Sequence, residues 1–359
     1  MTSIFDIAEQ HRRQVAARER ESVRRMVSAY GQVYVRVQDR LAVIQSQIDA
    51  AQAAGETVSQ AWLFQESRLQ LLERLVENEV STFARFAGGA IHDEQRYLAQ
   101  LGQEHVRELI MFGLDPLPPG ATVAFSYLPT TAIESLVGFL SDGSPLSTLL
   151  DELGPDASKA VRSTLIQAVG TGIGPRQTAR MLREALGGNL TRALVISRNE
   201  SLRALREASY QTAQRNADIT KGWIWHAQLG PRTCGVCISN HGSFHKPDER
   251  LSSHIQCRCS QAFVSKSWSE LGFSGIEDTS LRPGDVEPGA DWFARQSAET
   301  QVKTLGPAKA RAYQDGAIAL DDLVGKTRSR VWGPGLRERS LREILGEDEA
   351  LRWRREAMG

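Results

Sequence analysis

The sequence lacks the features that mark membrane-spanning, secreted or DNA-coating proteins. It has no apolar run of the roughly 18 to 20 residues that a membrane span needs, and its start, MTSIFDIAEQHRRQ, has no apolar core followed by a cleavage site. Its 43 basic residues balance 43 acidic ones, which argues against a protein whose main task is to coat nucleic acid. We therefore expect an unsecreted, soluble protein of roughly two or three domains, with no membrane partner.

Cysteine is scarce, and its placement is therefore informative. All four cysteines and three of the seven histidines lie in RTCGVCISNHGSFHKPDERLSSHIQCRC, residues 232–259. In a reducing cytoplasm, clustered cysteines are more typical of metal ligands than of disulfides. Cys234 and Cys237 have the CxxC spacing that lets two thiolates from one tight turn bind the same ion, and Gly235 permits the positive backbone angles that such a turn often requires.

A histidine adds a fifth potential ligand to the window. His254 follows Cys237 after sixteen residues and precedes Cys257 and Cys259. A tetrahedral ion takes four ligands, so either three thiolates and one imidazole or four thiolates would complete the site, and ligand softness favours structural zinc. The alternatives are reduced cysteines packed as small apolar side chains and a catalytic zinc with an open coordination position. The candidate metal ligands are Cys234, Cys237, His254, Cys257 and Cys259.

The same window suggests an enzymatic alternative. Asn240, His241, His245 and His254 could belong to a metal-dependent nuclease in which one histidine activates water beside a phosphate. The spacing opposes this hypothesis, because Asn240-His241-Gly242 is typical of a β-hairpin tip and no helix signal follows to present His254. We expect the histidines near this tip to be exposed polar side chains.

Helical periodicity dominates the first part of the chain. Apolar residues recur at steps of three and four from Val23 to Ile48, and again from Leu69 to Phe86. The stretch AQAAGETVS between them supplies helix stop and start signals. The pattern predicts a long antiparallel helical hairpin whose apolar stripe packs on the remaining chain or on a partner.

The remaining chain is predicted to be helical around one small β region. Segments at 131–139, 145–153 and 156–169 are typical of helices, as is a run from Pro175 to a stop at Gly187-Gly188 and another from about 190 to 216. WIWHAQ is typical of a strand, and helices are expected at 290–304, 307–315 and 340–357. The fold class is α+β and predominantly α-helical, with segments 1–115 (N-terminal long helices), 116–189 (helical connector), 190–264 (zinc-clipped β-hairpin domain) and 265–359 (helical C-terminal extension).

Three segments in order carry a family resemblance. TRALVISRNESLRALREASYQTAQRN, WIWHAQLGPRTCGVCISNHGSF and SHIQCRC resemble the head-morphogenesis, or minor capsid, proteins of tailed phages related to the F protein of phage Mu. The family's Arg-Thr-Glu-like triplet is matched by Arg198-Asn199-Glu200, and its strand tryptophan by Trp223 or Trp225. Its Arg-Thr-Cys-x-x-Cys turn is matched by 232–237, its glycine tip by Gly242, and its His-Pro-x-Cys-Arg-Cys segment by 254–259, with Ile255 in place of proline.

The resemblance implies a non-enzymatic role in building the virion. It implies a minor head protein at or near the portal vertex, associated with DNA packaging or ejection. The implied partners are the portal protein, a major capsid or scaffold protein, and viral DNA. The implied location is the virion, either the capsid interior or the portal vertex, with the host cytoplasm as the site of assembly. The alternative is a metal-dependent nuclease or a toxin-like effector that is carried in the virion.

Residues 190–264 also carry candidate support and DNA-contact residues. This segment has ten basic and five acidic residues, an excess that favours contact with phosphates, although a solvated helix face with internal ion pairs would give the same composition. Arg198 and Glu200 are expected to orient the metal region rather than to catalyse a reaction. The support residues are Arg198, Glu200, Trp225 and Gly242, and the candidate DNA contacts are Arg192, Arg203, Arg206, Arg215 and Lys221.

Overall fold

Helices account for most of the chain, as the sequence predicts. The computed structural model describes residues 3–59, 62, 68–140, 142–171, 173, 175–276, 286–329 and 332–357. None of the helices within these ranges is long and apolar enough to cross a membrane. The helices of the first two thirds are α1 (Ile4–Ala53), α2 (Arg68–Gly113), α3 (Thr130–Leu136), α4 (Ser147–Leu150), α5 (Leu153–Gly170) and α6 (Pro175–Arg215).

The predicted antiparallel pairing of the two long N-terminal helices is confirmed. Arg18 of α1 bonds to Glu94 of α2 over 2.9 Å, and Arg36 bonds to Glu79 over 2.6 Å. Residue numbers therefore rise along one helix while they fall along the other. The first helix begins at Ile4, well before the first apolar residue of the periodic pattern at Val23, so the hairpin is longer than predicted.

The helix stop predicted at Gly187-Gly188 is wrong, because α6 continues through both glycines. Glycine costs a helix interior about 1 kcal/mol relative to alanine, and a Cβ at either position would meet nothing within 4 Å. Leu186 on one side and Ala193 on the other are buried, so tertiary packing holds the backbone helical across the weak point. The predicted boundary between residues 189 and 190 consequently falls inside a helix.

A three-stranded antiparallel sheet follows α6. Its strands are β1 (Thr220–His226), β2 (Phe244–His245) and β3 (Ser260–Ser265), in the order β2-β1-β3. A short helix, α7 (Gly235–Asn240), lies between β1 and β2, so the predicted hairpin tip at Asn240-His241-Gly242 is wrong. His241 instead ends α7, and Gly242 takes a positive φ of 86° that turns the chain into β2.

The C-terminal region contains a β-hairpin that the sequence analysis missed. Strand β4 (Val324–Ser329) pairs with β5 (Gly333–Glu338), and their sequences, VGKTRS and GPGLRE, have only two β-branched residues and no aromatic one, which is little of the content by which strands are recognised. Helices are also present at the expected positions, although the runs predicted at 290–304 and 340–357 are each divided into two helices. A cluster that includes Phe293, Leu323 and Trp353 forms their core. These helices are α8 (Gly289–Ala294), α9 (Ala298–Leu305), α10 (Pro307–Gln314), α11 (Leu341–Leu345) and α12 (Glu347–Glu356).

The chain divides into two compact units that each combine separate ranges. One unit contains 1–16, 96–137 and 202–359, and the other contains 17–95 and 138–201. The core of the first unit includes Trp223 and Phe263 from the sheet, packed with the side chains of Cys237, Cys257 and Cys259. The division into four segments that the sequence suggests, 1–115, 116–189, 190–264 and 265–359, stays a prediction.

Gly102 allows α2 and α6 to approach closely within the first unit. A Cβ at this position would lie 2.6 Å from the carbonyl oxygen of Leu205 and 2.8 Å from Oγ of Ser209. Ser209 already donates its hydroxyl proton to the carbonyl oxygen of Gly102 over 3.1 Å. A backbone oxygen cannot rotate away as a side chain can, so a methyl group here would push the helices apart.

We expect Gly102→Ala to lower the free energy of unfolding by about 1 to 3 kcal/mol, because overpacking outweighs the better helix propensity of alanine. Urea denaturation measures the change. Gly89→Ala is the matched control on the same helix, since a Cβ there meets nothing within 4 Å. The control should be neutral or stabilising by up to about 1 kcal/mol; equal effects of the two substitutions would refute the packing argument.

Candidate metal centre

The structure brings the five candidate ligands together from two short segments. Cys234 is the residue before the first turn of α7, and Cys237 lies within that turn. His254 lies in the loop that follows β2, and Cys257 and Cys259 come immediately before β3. The antiparallel pairing of β1 with β3, in which His226 faces Ser260, places the second segment beside the first.

The distances between ligand atoms are those of a site that can hold a metal ion. Nε2 of His254 lies 3.2 Å from Sγ of Cys234 and 3.1 Å from Sγ of Cys237. Sγ of Cys237 lies 3.7 Å from Sγ of Cys257, close to the separation of about 3.8 Å that two zinc–sulfur bonds of about 2.3 Å give at a tetrahedral angle. The cysteines are free rather than disulfide-bonded.

Cys237 is the ligand that the two halves of the cluster share. One group with ligand atoms within 4.8 Å of one another contains Cys234, Cys237 and His254. A second group, by the same distance, contains Cys237, Cys257 and Cys259. Cys259 therefore groups with Cys237 and Cys257, whereas His254 groups with Cys234 and Cys237.

The charges within the cluster are those of a site that attracts a cation. The hydrogen bond from Cys237, and then the contact with His254, lower the pKa of Cys234 to about 4. Hydrogen bonds with Cys237 and Cys259 hold the pKa of Cys257 well below its usual value. The thiols of Cys234 and Cys257 raise the pKa of His254 to about 11. Two thiolates thus face one positive charge, which a metal ion can replace.

The imidazole of His254 is oriented for coordination through Nε2. Its Nδ1 lies 2.7 Å from the carbonyl oxygen of Ile255, so Nδ1 carries the proton that donates this hydrogen bond. Nε2, which faces the thiols, is then the nitrogen available to a metal ion. A backbone carbonyl bonded to the far nitrogen is the usual way in which proteins fix a metal-binding histidine.

Arg206 of α6 holds the backbone of the second ligand segment. Its Nη2 donates to the carbonyl oxygens of Cys257 and Cys259, both over 2.8 Å, and its Nη1 donates to Oγ of Ser253 over 2.9 Å. Its charge also lowers the pKa of Cys257. From the sequence Arg206 is predicted only as a DNA contact, because the partners that reveal this role lie 47 to 53 residues further along the chain.

Further contacts surround the thiols. The backbone N–H of Cys259 donates to Sγ of Cys257 over 3.4 Å, which stabilises a thiolate there. Trp225 is buried on β1, and its indole is close enough to the thiol of Cys259 to act on the pKa of that group. The indole N–H has no acceptor in hydrogen-bond geometry among the described residues.

The other histidines of the window are not the exposed side chains that the sequence predicted. His241 is half-buried, and its Nδ1 accepts a hydrogen bond from the N–H of Ala227 over 3.0 Å. His245 is also half-buried and stacks on Trp223 with ring centroids 4.1 Å apart. Neither histidine belongs to a group that could hold a metal ion among the described residues.

A hydroxyl, an imidazole and a carboxylate form a chain beside β2. Nε2 of His245 lies 2.9 Å from Oγ of Ser243, and Nδ1 lies 3.0 Å from Glu249. The hydroxyl proton of Ser243, however, is donated to the carbonyl oxygen of Asn240 over 2.6 Å. The carbonyl oxygen of Asn240 therefore competes with Nε2 of His245 for the hydroxyl proton of Ser243, which opposes its transfer to the imidazole as in a nucleophile and base pair.

The predicted DNA contacts mostly have acidic or carbonyl partners within the protein. Arg192 bonds to Glu152 and to Asp156, Lys221 bonds to Glu270 over 3.0 Å, and Arg203 donates to the carbonyl oxygen of Leu136 over 3.3 Å. Arg215 is exposed at the end of α6. Such partners favour the internal ion-pair alternative, and DNA contact by these residues stays a prediction.

The predicted support residues occupy different environments. Arg198 bonds to Glu19 of α1, and Glu200 is buried. Gly242 donates its N–H to the carbonyl oxygen of Trp225 over 3.0 Å, and so ties the end of α7 to β1. The expectation that Arg198 and Glu200 orient the metal region stays a prediction.

Comparison with known families agrees with the order of these motifs. Residues 159–262 match the family model described as Phage Mu protein F like protein. The chain carries a Mu F-like domain. The matched range covers less than a third of the chain, contains all five candidate ligands and ends within β3. No curated protein and no solved structure gave a match.

The Mu F-like domain supports a role in phage head morphogenesis, and with it an association with the virion. It points to a structural rather than an enzymatic role. The cysteine and histidine cluster lies inside this domain, so the site that can hold a metal ion is a feature of the matched region and not of an added segment.

We expect Arg206→Ala to lower the free energy of unfolding by about 1 to 3 kcal/mol, because two carbonyls beside buried cysteines lose a charged donor. Arg206→Lys should restore little of this loss, since one ammonium cannot reproduce the fork that spans three acceptors. Denaturant titration measures both changes. Arg215→Ala, an exposed arginine of the same helix, is the control and should change stability by less than about 0.5 kcal/mol; an equal loss in this control would contradict the assignment.

Proposed function

We propose that this protein is a minor head protein that acts at the portal vertex during head assembly, in association with DNA packaging or ejection. The observation that carries the proposal is the match of residues 159–262 to the Mu F-like family. The long antiparallel helices suit such a role, because α1 presents Val27, Val35 and Val43 as exposed apolar side chains. We propose that these valines contact the portal protein or a neighbouring head subunit.

Zinc is the metal that we propose for the cluster, in a structural role. Thiolate and imidazole ligands favour zinc over the harder ions. We assign the four ligands to Cys234, Cys237 and His254, which form one of the two groups, and to Cys257, whose Sγ lies 3.7 Å from that of Cys237. Nε2 of His254 lies within 3.2 Å of both thiols of the CxxC turn, which supports histidine rather than Cys259 as the fourth ligand.

A bound ion would stabilise the fold rather than activate water. Four protein ligands leave no open position, which a catalytic zinc needs. The ion would join two separate ligand segments of the sheet region, so the binding free energy of a structural ion becomes folding free energy for this region. Cys259 then contributes its backbone N–H to Cys257 and packs its side chain beside Trp225.

The nuclease or effector alternative has no comparable support. His241 and His245, which that hypothesis requires, have hydrogen-bond partners inside the protein. The residues of the two potential metal groups are four cysteines and one histidine, with no carboxylate among them. We therefore do not propose an enzymatic activity.

We expect the purified full-length protein to contain one zinc ion per chain by elemental analysis. Cys234→Ser, Cys257→Ser and His254→Ala should each lose the ion or bind it at least about ten-fold more weakly, because each removes a ligand. Cys259→Ser and His241→Ala are controls that should retain it. Absence of zinc from the unaltered protein would refute the metal assignment, and loss in Cys259→Ser with retention in His254→Ala would reverse the choice of fourth ligand.

We expect the protein to co-purify with the portal protein of its own phage when the two are co-expressed. Replacing Val27, Val35 and Val43 together by glutamate should reduce recovery on the portal at least about ten-fold, because charges would enter an apolar contact. The matched control replaces three exposed apolar residues elsewhere, Phe273, Val302 and Leu351. Failure of the unaltered protein to join portal or procapsid would refute the portal role, and equal effects of the two triple variants would refute the assigned surface alone.

A further inference from the structure

The first ligand segment packs directly on the C-terminal region. A Cβ at Gly235, between the two cysteines of the CxxC turn, would lie 2.8 Å from Cδ1 of Leu323 and 3.0 Å from Cδ2 of Leu305. Gly235 is the first residue of a helix and does not have a positive φ, so turn geometry does not account for the glycine. Two leucines of the C-terminal region instead occupy the space that a Cβ would enter.

The rest of α7 continues this contact. Ile238 is fully buried in the cluster whose other members, including Phe293, Leu323 and Trp353, come from the C-terminal region. Gly289, at the start of α8, donates its N–H to the carbonyl oxygen of His241 over 3.0 Å. The helix that carries Cys237 is thus part of the hydrophobic core of residues 289–357.

The second ligand segment meets the C-terminal β-hairpin. The N–H of Leu336 in β5 donates to the carbonyl oxygen of Ser253 over 3.2 Å. A Cβ at Gly335 would lie 2.7 Å from the same oxygen. Ser253 precedes His254 and accepts the hydrogen bond from Arg206, so the C-terminal hairpin lies against the loop that presents the histidine ligand.

We propose that the metal site and residues 289–357 form one coupled unit, in which metal binding fixes the surface on which this C-terminal segment docks. The metal would join the CxxC turn to the His254 loop, and the segment contacts both. Without the ion, the two ligand segments lose their common bond and the docking surface loses its fixed geometry. The proposal rests on the zinc site assigned above, and it concerns a segment beyond residue 262, where the family match ends.

The coupling must act in both directions. If metal binding favours docking, then docking favours metal binding by the same factor, because the two equilibria share one thermodynamic cycle. A substitution in the C-terminal segment that touches no ligand should therefore weaken metal retention. If the C-terminal segment only packed beside the metal site without being coupled to it, such a substitution would leave metal retention unchanged.

The first test is amide hydrogen exchange of the full-length protein, zinc-loaded and after chelation. We expect exchange in the helices and strands of 289–357 to become at least about ten-fold faster after chelation, as for a segment that opens locally. Helix α5 (Leu153–Gly170) is the internal control and should change little. Absence of zinc from the starting protein overturns both the metal site and the coupling, whereas bound zinc with unchanged exchange in 289–357 overturns the coupling alone.

The second test measures zinc dissociation with a chromophoric chelator. Leu323→Ala should release zinc at least about ten-fold faster, because it empties the contact above Gly235. Leu128→Ala is the matched control, a buried leucine in a separate cluster of the same unit. Equal acceleration by both would overturn the coupling in favour of general destabilisation.

A milder variant keeps the second test decisive if Leu323→Ala does not fold. Gly335→Ala places a methyl group against the carbonyl of Ser253, and it should also accelerate zinc release. Gly187→Ala, where a Cβ meets nothing within 4 Å, is its control and should release zinc at the unaltered rate. Unaltered release in Gly335→Ala would overturn the coupling through the hairpin.

Discussion

The convergence of two ligand segments on Cys237 is the constraint on which the sheet region depends. Sγ of Cys237 lies 3.1 Å from Nε2 of His254 and 3.7 Å from Sγ of Cys257, although sixteen and nineteen residues separate these ligands from it in sequence. Metal ligation requires these thiols to be ionised, and ionised thiolates at this spacing would repel one another unless a cation lay between them. The charge of His254 and the guanidinium of Arg206 meet this need in part, and a metal ion between the ligand atoms would meet it completely.

Arg206 shows how a helix outside the cluster keeps the ligand loop in place. A buried carbonyl without a donor costs about 1 to 3 kcal/mol. One guanidinium supplies donors to Cys257, Cys259 and Ser253, and it does so from a long helix that packs against α2 at Gly102. The packing of α2 on α6 therefore contributes to the geometry of the thiols, through a single side chain.

Local chemistry could be predicted from the sequence, and long-range partners could not. Every member of the cluster could be identified from residue type and spacing, which are local properties of the sequence: Cys234, Cys237, His254, Cys257 and Cys259. Helical periodicity is also a local property, and it identified the antiparallel hairpin. The helix through Gly187-Gly188 was missed because burial of neighbouring leucine and alanine overrides glycine propensity. The β4–β5 hairpin was missed because its strands have few β-branched residues and no aromatic one. The role of Arg206 was missed because a basic residue on a helix does not reveal a partner some fifty residues away.

The glycine of the CxxC turn could be explained either by the backbone geometry of the turn or by packing against the C-terminal region. If Gly235 were needed only for the geometry of the turn, it would have a positive φ, which residues with a Cβ rarely adopt. It is instead helical, and its missing side chain makes room for Leu305 and Leu323. The close contact at Gly235 thus comes from the C-terminal region, which lies beyond the Mu F-like match, so the metal turn and that region pack directly against each other.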